Sequence, residues 1–187
     1  ITTRLVGSEM CIRDRSIGIR EGSVWIEVFH DGENYYFNEV GFRYGGSVSI
    51  YPVDYFYQIN QVAADIHYAL TGESCISEHT SLIRSTLPRK KYYCIYPVHI
   101  NAGTISSISG LDKIAQLENI VYLATTKYLH DRIESSGSFS QVFALVHFVC
   151  NTTEECIQTI DRIHQMLVVF DELSLIHISE PTRRVVI

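Results

Sequence analysis

The sequence predicts an α+β fold on three observations. Two β-branched and aromatic runs flank a short polar turn, an apolar helical spacing follows Asp54, and three more strand-like runs after Lys91 lead into a capped helix. Ser23 to His30 (SVWIEVFH) and Tyr35 to Gly41 (YYFNEVG) surround Asp31-Gly32-Glu33-Asn34, a turn composition that closes an antiparallel hairpin. Asp54 precedes apolar residues at Phe56, Ile59, Val62, Ala63, Ile66, Ala69 and Leu70. That spacing predicts one helix with one buried face, stopped by Gly72. From Glu73 to Lys91 the chain turns polar and Ser/Thr-rich, which predicts a loop or joint. Beyond it Tyr92 to His99, Asn119 to Thr126 and Gln141 to Cys150 read as strands. Thr152 with Glu155 forms a capping box opening a helix to about Met166, and Leu167 to Phe170 is expected to return as an edge strand.

The chain has 187 residues, 46% of them apolar, enough for one compact domain or two small ones. With 15 Lys+Arg against 21 Asp+Glu, the net charge is −6 and the only basic cluster is Arg89-Lys90-Lys91. Neither a nucleic acid nor an anionic membrane finds the cations it would need here. The longest apolar run, Val142 to Cys150, falls short of the roughly 18–20 residues that span a bilayer. Five cysteines outside any CxxC pair, with no signal peptide, read as a reduced, cytoplasmic chain. Internal repeats are absent.

The two ends read differently. Leu5 to Arg15 (LVGSEMCIRDR) and Leu173 to Arg183 (LSLIHISEPTR) show neither hydrophobic period nor cap. Back-translated, one is the reverse complement of the other in a shifted frame. A single DNA segment read on opposite strands looks like a sequencing-library adapter joined to both ends of an insert; a terminal inverted repeat would place the same peptides there. Residues 1–15 and 173–187 are therefore expected to lie outside the fold. Setting them aside removes Glu9, Asp14 and Glu180 but also Arg4, Arg13, Arg15, Arg183 and Arg184, so residues 16–172 are more acidic than the whole.

If the hairpin turns about Glu33, residues whose numbers sum to 66 face each other, and Glu27 sits opposite Glu39 on one face. Like charges opposed across a sheet are destabilising, and persist where a cation sits between them. Two carboxylates plus substrate phosphates is a usual way to hold Mg²⁺. A solvent-facing acidic pair in a slipped register is the plainer alternative, left open by spacing alone. Arg43 follows four residues after Glu39 and leads into Tyr44-Gly45-Gly46-Ser47. A planar guanidinium grips phosphate or carboxylate, and glycines let backbone approach a ligand, although Gly-Gly is usually just a turn. His67, His79, His99, His130, His147 and His164 lack metal-ligand spacing, as do Cys75, Cys94, Cys150 and Cys156. Asn151-Thr152-Thr153 fits a glycosylation sequon but reads more simply as a strand-to-helix turn.

Glu27, followed twelve residues on by Glu39-Val40-Gly41-Phe42-Arg43, resembles the metal-binding Glu and E-x-N-x-R of the ATP-grasp superfamily. These are the carboxylate-amine and carboxylate-thiol ligases and their bicarbonate-using relatives. The likeness extends over nearly all of residues 16–172, including the Ala-Leu-Thr-Gly that ends at Gly72 and the Gly103 to Ser109 and Phe143 to Phe170 regions. The resemblance implies the C-terminal part of an ATP-grasp fold. Residues 16–75 would end the catalytic subdomain with an antiparallel metal-binding hairpin, 76–91 would be a joint, and 92–172 a small β-rich C-terminal subdomain. It implies ATP and Mg²⁺ (or Mn²⁺) as cofactors, with Glu27 and Glu39 as metal ligands and Arg43 as the catalytic residue that steadies the transferred phosphoryl group or the acceptor carboxylate. A small carboxylate would become an acyl phosphate, displaced by an amine or thiol. The family's Asn is Gly41 here; some branches of the family do without it, and a water or a nearby group such as Asn60 could substitute in the metal shell. The family's phosphate-gripping lysines and adenine-binding strand precede this region. The fragment alone is therefore expected to be inactive, to bind ATP weakly or not at all, and to self-associate through an exposed strand edge, as a homodimer in the simplest case. A bicarbonate-using carboxylase or carbamoyl-phosphate-type enzyme, and a non-catalytic α+β interaction module, remain open beside the amino-acid ligase.

Overall fold

A computed structural model of the chain describes residues 18, 21–76, 91–135, 139–171 and 175–176. The chain divides into two units, Ile1–Pro88 and Arg89–Ile187. Most of the joint expected over 76–91 lies outside the described residues.

In the first unit β1 (Trp25–His30) and β2 (Tyr35–Gly41) pair antiparallel. Asp31 closes the turn. Its Oδ1 accepts from the backbone N–H of Asn34 at 2.8 Å and of Glu33 at 2.9 Å, and its Oδ2 accepts from the Tyr36 hydroxyl at 2.9 Å. Those donors, Asn34 first, hold the Asp31 carboxyl down at about 2. The expected pairing holds for Trp25 with Gly41, Ile26 with Val40 and Glu27 with Glu39, but the pairs beside the turn, Val28 with Phe37, Phe29 with Tyr36 and His30 with Tyr35, centre the turn between Gly32 and Glu33 rather than on Glu33. Asn38 is the extra residue of a β-bulge.

The single helix expected after Asp54 is two helices, and Asp54 lies inside the first. α1 (Ile50–Tyr57) stops at Gln58, which adopts φ 54. Its Pro52 falls in the first turn, where the missing N–H has no intrahelical partner to lose. α2 (Gln61–Thr71) starts afresh because Asn60 Oδ1 accepts from Ala63 N at 3.0 Å, and it ends where Gly72, at φ 73, donates its N–H to Tyr68 O. The apolar spacing ran through this break because both helices present apolar residues with a similar period. The face expected to be buried is mostly open. Ala64 is buried within α2, while Ile66 and Leu70 are 55% and 81% exposed.

The second unit is built on a three-stranded antiparallel sheet of β3 (Tyr92–His99), β6 (Ile120–Thr125) and β8 (Val142–Cys150), ordered β3-β8-β6. β8 is central, and eight of its nine residues are buried. That explains its unbroken apolar text, since both faces are covered. β4 (Gly103–Thr104) pairs with β7 (Arg132–Ile133). β5 (Ser107–Ser109) and a short α3 (Leu111–Ala115) lie between β4 and β6 in sequence. α4 (Thr153–Met166) opens on the expected cap, with Thr152 Oγ1 accepting from Glu155 N at 3.1 Å; the Glu155 carboxylate takes the N–H of Asn151 at 2.7 Å. Ile163 of α4 joins Val98, Ile100, Ile105, Ile114, Phe143, Val146 and Phe148 in one buried core.

β9 (Val168–Phe170) was expected at a sheet edge and is instead flanked on both sides, in the order β10-β9-β5. β10 (Leu175–Ile176) belongs to the C-terminal stretch expected to lie outside the fold, yet pairs antiparallel with Phe170 and Val169. A strand edge presents unpaired N–H and C=O groups that any extended chain can meet, so this short pairing asks nothing specific of the sequence. The remainder of both terminal stretches is outside the described residues. Among the described residues, no helix is long and apolar enough to cross a membrane.

Candidate active site

Alternation along β1 puts Trp25, Glu27 and Phe29 on one face, with Glu27 directly opposite Glu39 and Trp25 opposite Gly41. Glu27 is half-buried and Glu39 exposed. In an unbroken ladder Asn38 would point away from Glu39 to the other face. The bulge cancels that alternation. Asn38 Nδ2 donates to Glu27 Oε1 at 2.5 Å, so an amide is bonded to one of the two carboxylates. Sequence reasoning missed Asn38, because a period of two assigns it to the wrong face. Among the described residues, no group of three or more His, Cys, Asp or Glu side chains is arranged to hold a metal ion.

Arg43 is brought to the same end of the hairpin by Trp25. The guanidinium carbon lies 5.0 Å from the centre of the indole ring, and Nη1 donates to the Tyr44 carbonyl at 3.1 Å. The following loop is tied down by the Tyr44 hydroxyl, which donates to Asp65 Oδ2 on α2 at 2.7 Å. That acceptor, helped by burial, raises the Tyr44 phenol above its usual value. Ser47 and Val48 carry φ values of 55 and 58. Val48 in this region is an outlier for a β-branched residue, so the loop is strained beside Arg43. The two glycines differ. A Cβ on Gly45 would stand 2.7 Å from Trp25 Cδ1, whereas one on Gly46 would meet nothing within 4 Å. Gly45 thus admits this chain's own tryptophan rather than leaving room for a ligand.

Two solved structures share this architecture. An L-amino acid ligase from Bacillus licheniformis matches with a TM-score of 0.68 at 22% identity, over 91% of this chain and 41% of that chain. A phosphoribosylglycinamide synthetase from Anaerococcus prevotii matches with a TM-score of 0.71 at 14% identity, over 92% and 43%. The chain has part of an ATP-grasp fold. It spans about two-fifths of the length of these two ATP-grasp enzymes. No protein-family model and no curated protein sequence matches it.

Use of ATP with Mg²⁺ or Mn²⁺ accompanies the ATP-grasp fold. The donor chemistry of the hairpin fits such an ion: two opposed carboxylates are hard ligands, and Mg²⁺ commonly takes only one or two carboxylates besides substrate phosphates. Asn60, expected to be able to replace the missing amide, is engaged as the cap of α2. A Cβ at Gly41 would make only ordinary contacts, at 3.5 Å to Arg43 and 3.7 Å to Trp25. A side chain can therefore begin at that position without displacing its neighbours.

Other reactive groups sit in the core of the second unit. Cys94 Sγ lies 3.2 Å from Cys156 Sγ, and burial pushes the Cys150 and Cys156 thiols up to about 11, away from thiolate chemistry. His164 and His147 contact the hydroxyls of Tyr96 and Tyr93 at 2.5 and 3.1 Å.

Proposed function

We propose that the longer protein to which this chain belongs is an ATP- and Mg²⁺-dependent ligase that joins a small carboxylate to an amine through an acyl phosphate. The observation that carries this reading is the pairing of Glu27 with Glu39 across the hairpin of an ATP-grasp fold. Both neighbours are named for such work, one for ligating L-amino acids and the other for synthesising phosphoribosylglycinamide. Bound Mg²⁺ would neutralise charge on the β- and γ-phosphates of ATP. Glu27 and Glu39 would hold that ion from opposite strands. Arg43, kept over Trp25, presents its guanidinium to the transferred phosphoryl group or to the acceptor carboxylate. The chain by itself carries this hairpin and no turnover is expected of it.

The test is ADP release by the full-length protein supplied with ATP, Mg²⁺ and panels of amino acids as carboxylate and amine. Glu39→Gln is expected to lower turnover on the order of 100-fold, as for other groups that stabilise developing charge. Full activity in that variant removes the metal assignment, and bicarbonate-dependent turnover without an amino acid would move the enzyme to the carboxylase branch.

A further inference from the structure

The hairpin contains one residue that neither the ATP-grasp pattern nor the alternation of the strands assigns. Asn38 is unpaired in the ladder between Glu39, opposite Glu27, and Phe37, opposite Val28. A bulge costs ladder hydrogen bonds and re-aims a side chain. Here it sets both Asn38 and Glu39 against Glu27, and the Asn38 amide donates to Glu27 Oε1 at 2.5 Å. Two carboxylates facing each other repel, and an unrestrained glutamate would lower that repulsion by swinging away. An N–H held on one oxygen opposes the swing and leaves the other oxygen for a cation. Position 41, where the ATP-grasp E-x-N-x-R pattern has an amide, is a glycine, so no side chain from that residue can restrain either carboxylate.

We propose that Asn38 is the positioning residue of the cation site: placed by the bulge, its amide fixes Glu27 for a divalent cation shared with Glu39, in compensation for the amide absent at Gly41. The inference rests on the cation reading of the carboxylate pair given above. It concerns Glu27 directly and the cation only through it.

The experiment is a titration of the full 187-residue chain with Mn²⁺ alone, followed by paramagnetic broadening of the backbone amides at positions 27 and 39. Wild type is expected to show saturable broadening at both. Asn38→Ala is expected to weaken the apparent affinity roughly 10-fold, the lower end of what removal of a residue supporting a metal ligand does. Asn38→Leu, which keeps the volume without the donor, should behave the same. Gly41→Asn placed on Asn38→Ala should recover most of the loss, because it returns an amide beside Glu39 on the site face. A purely structural role for Asn38 predicts no such rescue. Cross-strand contacts between residues 27 and 39 report in each variant that the hairpin persists. Unchanged Mn²⁺ affinity in Asn38→Ala or Asn38→Leu overturns the positioning role while leaving the carboxylate pair intact as a cation site. Absence of broadening in wild type overturns both.

Discussion

The paired glycines of the Arg43 loop should respond differently to the same substitution, one losing stability and the other not. In Gly45→Ala the added carbon would stand 2.7 Å from Trp25 Cδ1 and 3.2 Å from Ser49 Cβ, against roughly 3.5–4.0 Å for an unstrained carbon pair. The Ser49 hydroxyl can rotate away. The indole cannot retreat without leaving the Arg43 guanidinium, now 5.0 Å from its ring centre. Overpacking of this kind costs about 1–3 kcal/mol, and loss of an exposed cation–π contact adds about 0.5–1 kcal/mol. With a urea dependence of about 1–3 kcal/mol/M, a loss near 2 kcal/mol lowers the unfolding midpoint by about 1 M. Trp25 is the only tryptophan in the chain, so its fluorescence reports both the displacement and the unfolding of this unit. Gly46→Ala meets nothing within 4 Å and its backbone is not left-handed. It should be neutral or raise stability by about 0.4–1 kcal/mol by narrowing the unfolded ensemble. A Gly45→Ala chain with the wild-type midpoint and emission maximum would refute the close approach.

Two more outcomes follow from single residues. Gly110 has φ +93, and a Cβ there would lie 2.7 Å from the carbonyl carbon of Met166, backbone that cannot rotate away; Gly110→Ala is expected to cost more than about 4 kcal/mol. Far-UV circular dichroism during urea unfolding checks this, and a midpoint near wild type rules it out. Asp31 has a folded pKa of about 2 against an ordinary 3.8, so its contribution to the hairpin is complete above about pH 4 and fades as pH falls toward 2. The amide shifts of Glu33 and Asn34 should therefore titrate near pH 2, and a transition at or above 3.8 would show that the turn bonds are not made.

What could be read from the sequence divides by the kind of physics involved. Tyr92–His99 needed only β-branched and aromatic text, and the α4 cap only Thr152 and Glu155, because those signals are local. The helix break at Gln58–Asn60 was hidden by a competing local signal, an apolar period that two short helices happened to continue. β9 was misplaced because nothing within Val168–Phe170 records which strands flank it. The site shows the same division at closer range. Opposition of Glu27 and Glu39 was reached from a turn centred on Glu33, but the pairs beside the turn centre it half a residue earlier, and only the bulge at Asn38 sets Glu39 against Glu27; nothing in the text of the strands marks that bulge. Asn38 reads as an outward polar residue of β2 until the shift is known. Gly41 then changes meaning as well. From the sequence it is a departure that removes a ligand; beside the bulge it is one half of an exchange, in which an amide is missing from one position of the strand and supplied by another three residues earlier.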